Sequence, residues 1–289
     1  MIVDRVQLLG GSVDVISRAG VLRFISNAAA RRSKAIIGNQ NFHSLYLSRR
    51  NASLAAFFEA ADLIEIDSRP LLFWANVLGM GLTRQHRSTY LDWRDDFWRM
   101  AARSRWRVFC LGAASAVNEA AVARLSLEWP GAVVAGRHGY FDHQRHSVEN
   151  EAIVREINAF GPDVLFVGMG MPLQETWILE NYSALASGVV LSVGAAFDYE
   201  AGAQSPAPRI YGDLGVEWLY RLAHEPRRLF RRYLIEPWSL IASAYVDVKF
   251  WLGGLPSQQN SRLGWRRARP LSVAAPQPDL RASEIQRAA

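Results

Sequence analysis

The chain has 289 residues, half of them hydrophobic, which is enough for one sizeable core with an appendage or for two small domains. A formal charge of +6 favours anionic partners: nucleotides, nucleic acid or an acidic membrane surface. A lone cysteine, Cys110, excludes an internal disulfide, and no apolar run reaches the length of a membrane span.

The first residues carry Asp4 and lack the apolar stretch and cleavage site of a secretory signal, so the expectation is a cytoplasmic protein that touches a membrane without crossing it. Two short strands are predicted at Val6–Leu9 and Val13–Ile16 around the Gly10-Gly11 turn. Ala19 to Arg32 reads as an amphipathic helix with a basic end, favourable at a helix C-terminus. Lys34 to Gly38 is a buried-strand pattern that stops at Asn39-Gln-Asn41, and helical spacing returns over Phe42–Arg50 and Ala52–Ala61. Leu63 to Asp67 is the next strand; it ends in a carboxylate followed by Ser68-Arg69-Pro70 and a helix through Trp74. Another helix is predicted over Leu91–Arg103.

Val108–Leu111 is a strand leading into Gly112-Ala-Ala-Ser115, with Ser115 as the expected N-cap of a helix running to Trp129. Pro130-Gly131 closes that helix, Ala132–Ala135 is a strand, and Glu149–Phe160 is helical. Gly161-Pro-Asp then introduces Val164–Gly168, an apolar run typical of a strand buried on both faces. It breaks at Gly168-Met-Gly170-Met-Pro172, and helical spacing resumes from Gln174-Glu175. A strand, glycine turn and helix start would point backbone N–H groups at an anion such as a phosphate; the same spacing also fits a tight turn that binds nothing. Pro172 stands near where a dinucleotide fingerprint needs its third glycine, which counts against a nicotinamide cofactor. Val189–Val193 is the last strand, followed by Gly194-Ala-Ala-Phe-Asp198.

Strands alternating with helices argue for an α/β fold: a Rossmann-like, mostly parallel sheet with helices on both faces. Ligands of such sheets sit at the carboxyl ends of the strands, where Asn39, Asn41, Asp67, Gly112, Gly168 and Asp198 all fall. Asp67 there could cap the following helix or take a proton from a sugar hydroxyl. Asn39 and Asn41 suit either local turn bonds or a grip on a polar ligand, and Asp198 suits capping or binding.

Past Ala207-Pro208 the composition changes. Glu217 to Tyr233 interleaves five arginines with aromatics and leucines, and Arg221, Arg228 and Arg231 lie near one face if helix continues past Pro226; a break at Glu225-Pro226 is the other option. Converging guanidiniums suit a diphosphate, while a solvated basic face or contact with anionic lipid, anchored by Trp238 and Trp251, is also open. Trp238 to Leu255 is largely apolar. The expected organisation is a core over 1–208, a basic amphipathic appendage over 209–256 and a disordered tail over 257–289. No HxxxH, HExxH, cysteine pair or GxSxG occurs, so neither a metal site nor a nucleophilic triad is expected.

Gly168-Met-Gly-Met-Pro-Leu-Gln-Glu175, Gly194-Ala-Ala-Phe-Asp198, Ala207-Pro208, Glu217-Trp-Leu-Tyr-Arg221 and Glu225-Pro-Arg-Arg-Leu-Phe-Arg-Arg-Tyr233, with Gly139-Tyr-Phe-Asp142 and the Ala61–Asp67 segment, together resemble the WecG/TagA/CpsF glycosyltransferases. The resemblance spans roughly residues 5 to 240 in matching order. It implies an inverting, metal-independent transfer from a UDP-sugar to a polyprenyl-diphosphate-linked saccharide, peripheral on the inner face of the cell membrane. No cofactor and no nucleic acid are implied. On this resemblance Asp67 is the catalytic base. Asn39, Asn41, Gly168, Gly170, Pro172, Gln174, Glu175, Gly194 and Asp198 fall at the substrate sites, and Arg221, Arg228 and Arg231 meet the diphosphate. The chain departs from the pattern at Ser68-Arg69-Pro70, where glycine usually follows the aspartate, and at Asn39, where threonine often stands. Two other classes are a nucleotide-dependent oxidoreductase or epimerase and a non-catalytic membrane-surface adaptor.

Overall fold

A computed structural model of the chain describes residues 3–186, 188–204, 219, 222 and 226–252. The chain opens with an antiparallel hairpin, β1 (Asp4–Leu8) and β2 (Gly11–Val15), turned at Leu9-Gly10. Helix α1 (Arg18–Ala30), capped by the Ser17 hydroxyl, leads to the first strand of the main sheet, β3 (Ala35–Gln40). Then come α2 (Phe42–Ser48), α3 (Ala52–Ala60), β4 (Leu63–Ile66), α4 (Arg69–Val77) and α5 (Tyr90–Ser104). The second half alternates regularly: β5 (Arg107–Gly112), α6 (Ser115–Glu128), β6 (Val133–Arg137), α7 (Val148–Phe160), β7 (Val164–Gly168), α8 (Leu173–Asn181), β8 (Val189–Ser192) and α9 (Ala196–Glu200).

The six strands from β3 onward form one sheet in the order β4-β3-β8-β7-β5-β6, and every neighbouring pair is parallel. This is the expected α/β architecture. Two apolar layers cover the sheet. On one face Phe97, Trp98, Trp93 and Tyr90 of α5 pack around Phe166, with the Phe97 and Phe166 rings 4.9 Å apart, and α1 and α6 complete the layer. On the other face Leu54 and Phe57 of α3, Ile153 and Ile157 of α7 and Trp177 of α8 cover Ile36, Leu165 and Val190. A smaller core joins the hairpin to α2 and α4 through Val6, Leu8, Leu45, Leu71 and Ala75. Side chains alternate across a strand, so a strand flanked by two such layers must be apolar at nearly every position, as β7 and β8 are.

Two capping expectations are corrected. Ser115 is the first residue of α6 rather than its cap; Ala114 holds the cap position, and the Ser115 hydroxyl turns to Glu119 Oε1 at 2.8 Å. Asp67 does not cap α4, because Ser68 does so, accepting the Leu71 N–H at 3.4 Å. The 208/209 domain boundary and the 257–289 tail lie outside the described residues. Beyond Pro226 the chain forms α10 (Pro226–Phe230), a π-turn (Arg231–Ile235), a 3-10 turn (Glu236–Leu240) and α11 (Ile241–Leu252). Proline stands at the first position of α10, where its missing N–H costs nothing, and Glu225 lies outside the described residues.

Candidate active site

The carboxyl ends of β3, β4, β8 and β7 lie side by side along one edge of the sheet and carry most of the residues singled out above. At the β3–β4 end the chain leaves the sheet at Asn41 and Asp67. The Asp67 N–H still donates to Gln40 O at 2.9 Å, so the strand pairing persists to the carboxylate. Asn41 caps α2, its Oδ1 accepting the Ser44 N–H at 3.0 Å; its Nδ2 then donates to Asp67 Oδ2 at 2.9 Å. Both roles fix the amide orientation, because the oxygen must face the helix and the nitrogen the carboxylate. Two residues earlier, Asn39 donates from Nδ2 to Ser192 O and so links the ends of β3 and β8.

The β7–β8 end is built from backbone. Gly168 sits so close to the next turn that an added Cβ would lie 2.6 Å from Gly194 O. Gly170 at φ +83 and Gly194 at φ +56 take left-handed conformations that favour glycine. The Gln174 side chain ties the two turns, since its Oε1 accepts both Gly170 N–H and Gly194 N–H at 3.2 Å. This corrects one expectation. Those two N–H groups do not project unbonded from the turn; a glutamine carbonyl holds them, and a phosphate would have to take its place. Gln174 Nε2 donates to Glu175 Oε1 at 2.6 Å, and burial raises the Glu175 carboxyl to about 7. Pro172 opens α8 after a cis peptide bond, and Asp198 lies half-buried on α9 with its backbone bonded to Ala195 and Gln204.

The C-terminal segment docks beside the β3–β4 end. Arg231 Nη2 donates to Tyr46 OH at 3.1 Å, and Tyr46 belongs to α2, the helix that Asn41 caps. His43 Nδ1 on the same helix meets Glu236 Oε2 at 2.6 Å, and burial lowers the histidine while that bond acts the other way. Asp247 of α11 accepts from Leu9 N–H and Trp74 Nε1, both at 2.8 Å. Arg228 falls on α10, and its side chain is outside the described residues, as is Arg221 altogether. Arg228 and Arg231 do not continue one regular helix, because the π-turn begins at Arg231.

The structure therefore brings Asn41 to Asp67, and Gly170, Gln174, Glu175 and Gly194 to one another. It also exposes residues that the sequence reading passed over. Glu65, one of four consecutive buried residues in β4, is a charged side chain in an apolar strand, and that mismatch was the available signal. Tyr46, His43 and Glu236 had none, since their roles depend on a contact across roughly 190 positions of chain.

Residues 6–251 match the Glycosyl transferase WecG/TagA/CpsF family. Among curated proteins, the N-acetylglucosaminyldiphosphoundecaprenol N-acetyl-beta-D-mannosaminyltransferase of Staphylococcus aureus strain MRSA252 is 30% identical over 237 residues, covering 78% of this chain and 87% of that protein. The same enzyme from strain MW2 matches with the same identity and coverage.

Proposed function

The chain belongs to the WecG/TagA/CpsF glycosyltransferase family, and from that premise we propose that it moves an N-acetylhexosamine, of the N-acetylmannosamine class named for its relatives, from a UDP-sugar to a polyprenyl-diphosphate-linked sugar. The observation that carries the reading is the Asn41–Asp67 pair at the edge of the parallel sheet, beside two glycine turns held by one glutamine.

The Asp67 carboxylate takes the proton of the acceptor hydroxyl. The freed oxygen attacks the anomeric carbon from the face opposite the diphosphate, the bond to UDP breaks, and its electron pair leaves on the diphosphate oxygen. One displacement inverts the configuration. Asn41 supports this role by holding Asp67 at one oxygen, so the carboxylate has a fixed direction. The donor diphosphate lies over the Gly170 and Gly194 turns and displaces the Gln174 carbonyl from their N–H groups. These donors and the arginines of the C-terminal segment, Arg231 among them, carry the charge that develops on UDP, in place of a metal ion.

The acceptor is lipid-linked in this reading, and the surface of the C-terminal segment suits a membrane. Trp238, Ile241, Tyr245, Phe250, Trp251 and Leu252 are all exposed, Trp238 by 72%. No helix among the described residues is long and apolar enough to cross a membrane. Aromatic and apolar side chains on a segment pinned to the core through Asp247 support peripheral attachment.

The test is UDP release from a panel of UDP-sugars in EDTA, with the acceptor presented in anionic vesicles that are then pelleted. Acceptor-dependent release by enzyme that sediments with the vesicles is expected. Release that requires added metal would remove the arginine role, and full activity from enzyme left in the supernatant would remove the membrane role.

A further inference from the structure

Glu65 lies two residues before Asp67, in register with Asn39 on the neighbouring strand, and is 1% exposed. One carboxyl oxygen, Oε1, accepts the Ser88 hydroxyl at 2.5 Å. The other, Oε2, is buried without a partner, and so is Asn39 Oδ1. An ionised carboxylate and an amide oxygen are both acceptors, so two acceptors stand on the same face of adjacent strands with no donor between them. Buried polar atoms in native proteins are nearly always hydrogen-bonded, and a single proton on Oε2 serves both.

We infer that Glu65 is a neutral carboxylic acid that donates its proton to Asn39 Oδ1 and so positions the Asn39 amide in the candidate site. With its oxygen held there and one N–H on Ser192 O, the amide has a single remaining N–H to present. Every charged neighbour agrees with the neutral form. Asp67 on the same strand and Asp92 on α5 are both acidic, and burial is the largest effect, raising the carboxyl to about 8. The Ser88 hydroxyl and the Trp93 indole N–H, which reaches toward the carboxyl from α5, act the other way and favour the ionised form, and burial outweighs them. The nearby cations turn elsewhere, since Arg87 and Arg18 both pair with Asp92, at 3.0 and 3.3 Å. A neutral Glu65 also spares Asp67 a second negative charge behind it.

Placement of the proton stands on its own; its effect on transfer rests on the reading of this region as the glycosyltransferase site. Two measurements separate them. The infrared difference spectrum of wild type minus Glu65→Gln at pH 7 should contain a carboxylic-acid C=O band that fades as pH rises through about 8. A carboxylate signature at pH 7 instead would overturn the inference, whatever the activity. For transfer, Glu65→Gln keeps a donor toward Asn39 Oδ1 and an acceptor toward Ser88, so it should retain the activity that Glu65→Leu loses. It should also lack the alkaline decline of the wild type. Equal rates for the two variants, both folded, would overturn the positioning role. If even the wild type shows no transfer, the function reading fails while the infrared band still decides the proton.

Discussion

The two ends of the candidate site are made of different material. At β3–β4 the chemistry stands on side chains: Asn39, Asn41, Asp67 and, behind them, Glu65 and Ser88. At β7–β8 it stands on backbone: glycines that let the turns approach, with N–H groups gathered by Gln174. Each end is backed by a buried glutamate, yet the two are held differently. Each leaves one carboxyl oxygen buried without a bonded partner, but the bonded oxygen of Glu65 takes the Ser88 hydroxyl, whereas that of Glu175 takes the amide of the glutamine that ties the turns. The difference teaches a division of labour. Side chains at fixed orientation suit proton transfer, which depends on direction; a row of backbone N–H groups suits a diphosphate, which needs charge stabilisation over several oxygens.

That division can be broken at three points, from the strongest effect to the weakest. Arg231→Ala removes the guanidinium of the C-terminal segment that reaches Tyr46 on α2 and should lower turnover by about 10²–10³-fold, as losses of transition-state charge stabilisation do; an unchanged rate would assign leaving-group stabilisation to the backbone end alone. Gln174→Ala should act on donor binding instead. It removes the carbonyl that the donor diphosphate must displace, so a buried hydrogen bond of about 1–3 kcal/mol no longer has to be broken and the donor KM should fall roughly tenfold, with kcat changing less. A fall in kcat alone would erase the contrast between the two ends. Glu175→Gln sharpens the contrast through pH. The carboxyl is raised in the fold, so the unfolded chain releases the proton first and wild-type stability falls as pH climbs from the ordinary carboxyl range to about 7. The variant lacks that loss, so its melting temperature should gain on the wild type across this window and run parallel above it. A constant difference from pH 4 to 8 would show that Glu175 is not protonated in the fold.

Most of the architecture was legible because the parallel sheet is buried on both faces and announces itself as apolar runs between helical patterns. The β7 and β8 strands fall where Val164–Gly168 and Val189–Val193 predict, to within a residue. The glycine turns were legible for a related reason, because only glycine fits φ +83 or a neighbouring carbonyl at that distance. What the turns do was not. The expectation of unbonded N–H groups failed because Gln174, expected at the helix start and at the substrate site, folds back over them. Capping misled twice: α6 starts one residue earlier than its first capping side chain, so Ala114 holds a cap position with no side-chain bond, and at α4 two neighbours both suit the cap and sequence does not say which makes the bond. Ser68 rather than Asp67 caps α4, which leaves Asp67 to Asn41. The Asn41–Asp67 pair joins residues 26 apart, and the Glu65–Ser88 bond joins residues 23 apart; both needed the sheet register before they could be seen.

The central claim is that Asp67 carries the proton transfer while the β7–β8 end holds the donor. Its most direct test is acceptor-dependent UDP release by wild type and Asp67→Asn, side by side, with donor affinity measured separately by titration with UDP. The account predicts a fall in kcat of about 10²–10⁴-fold with UDP affinity unchanged. Equal turnover in the two proteins would contradict it and move the base elsewhere in the site.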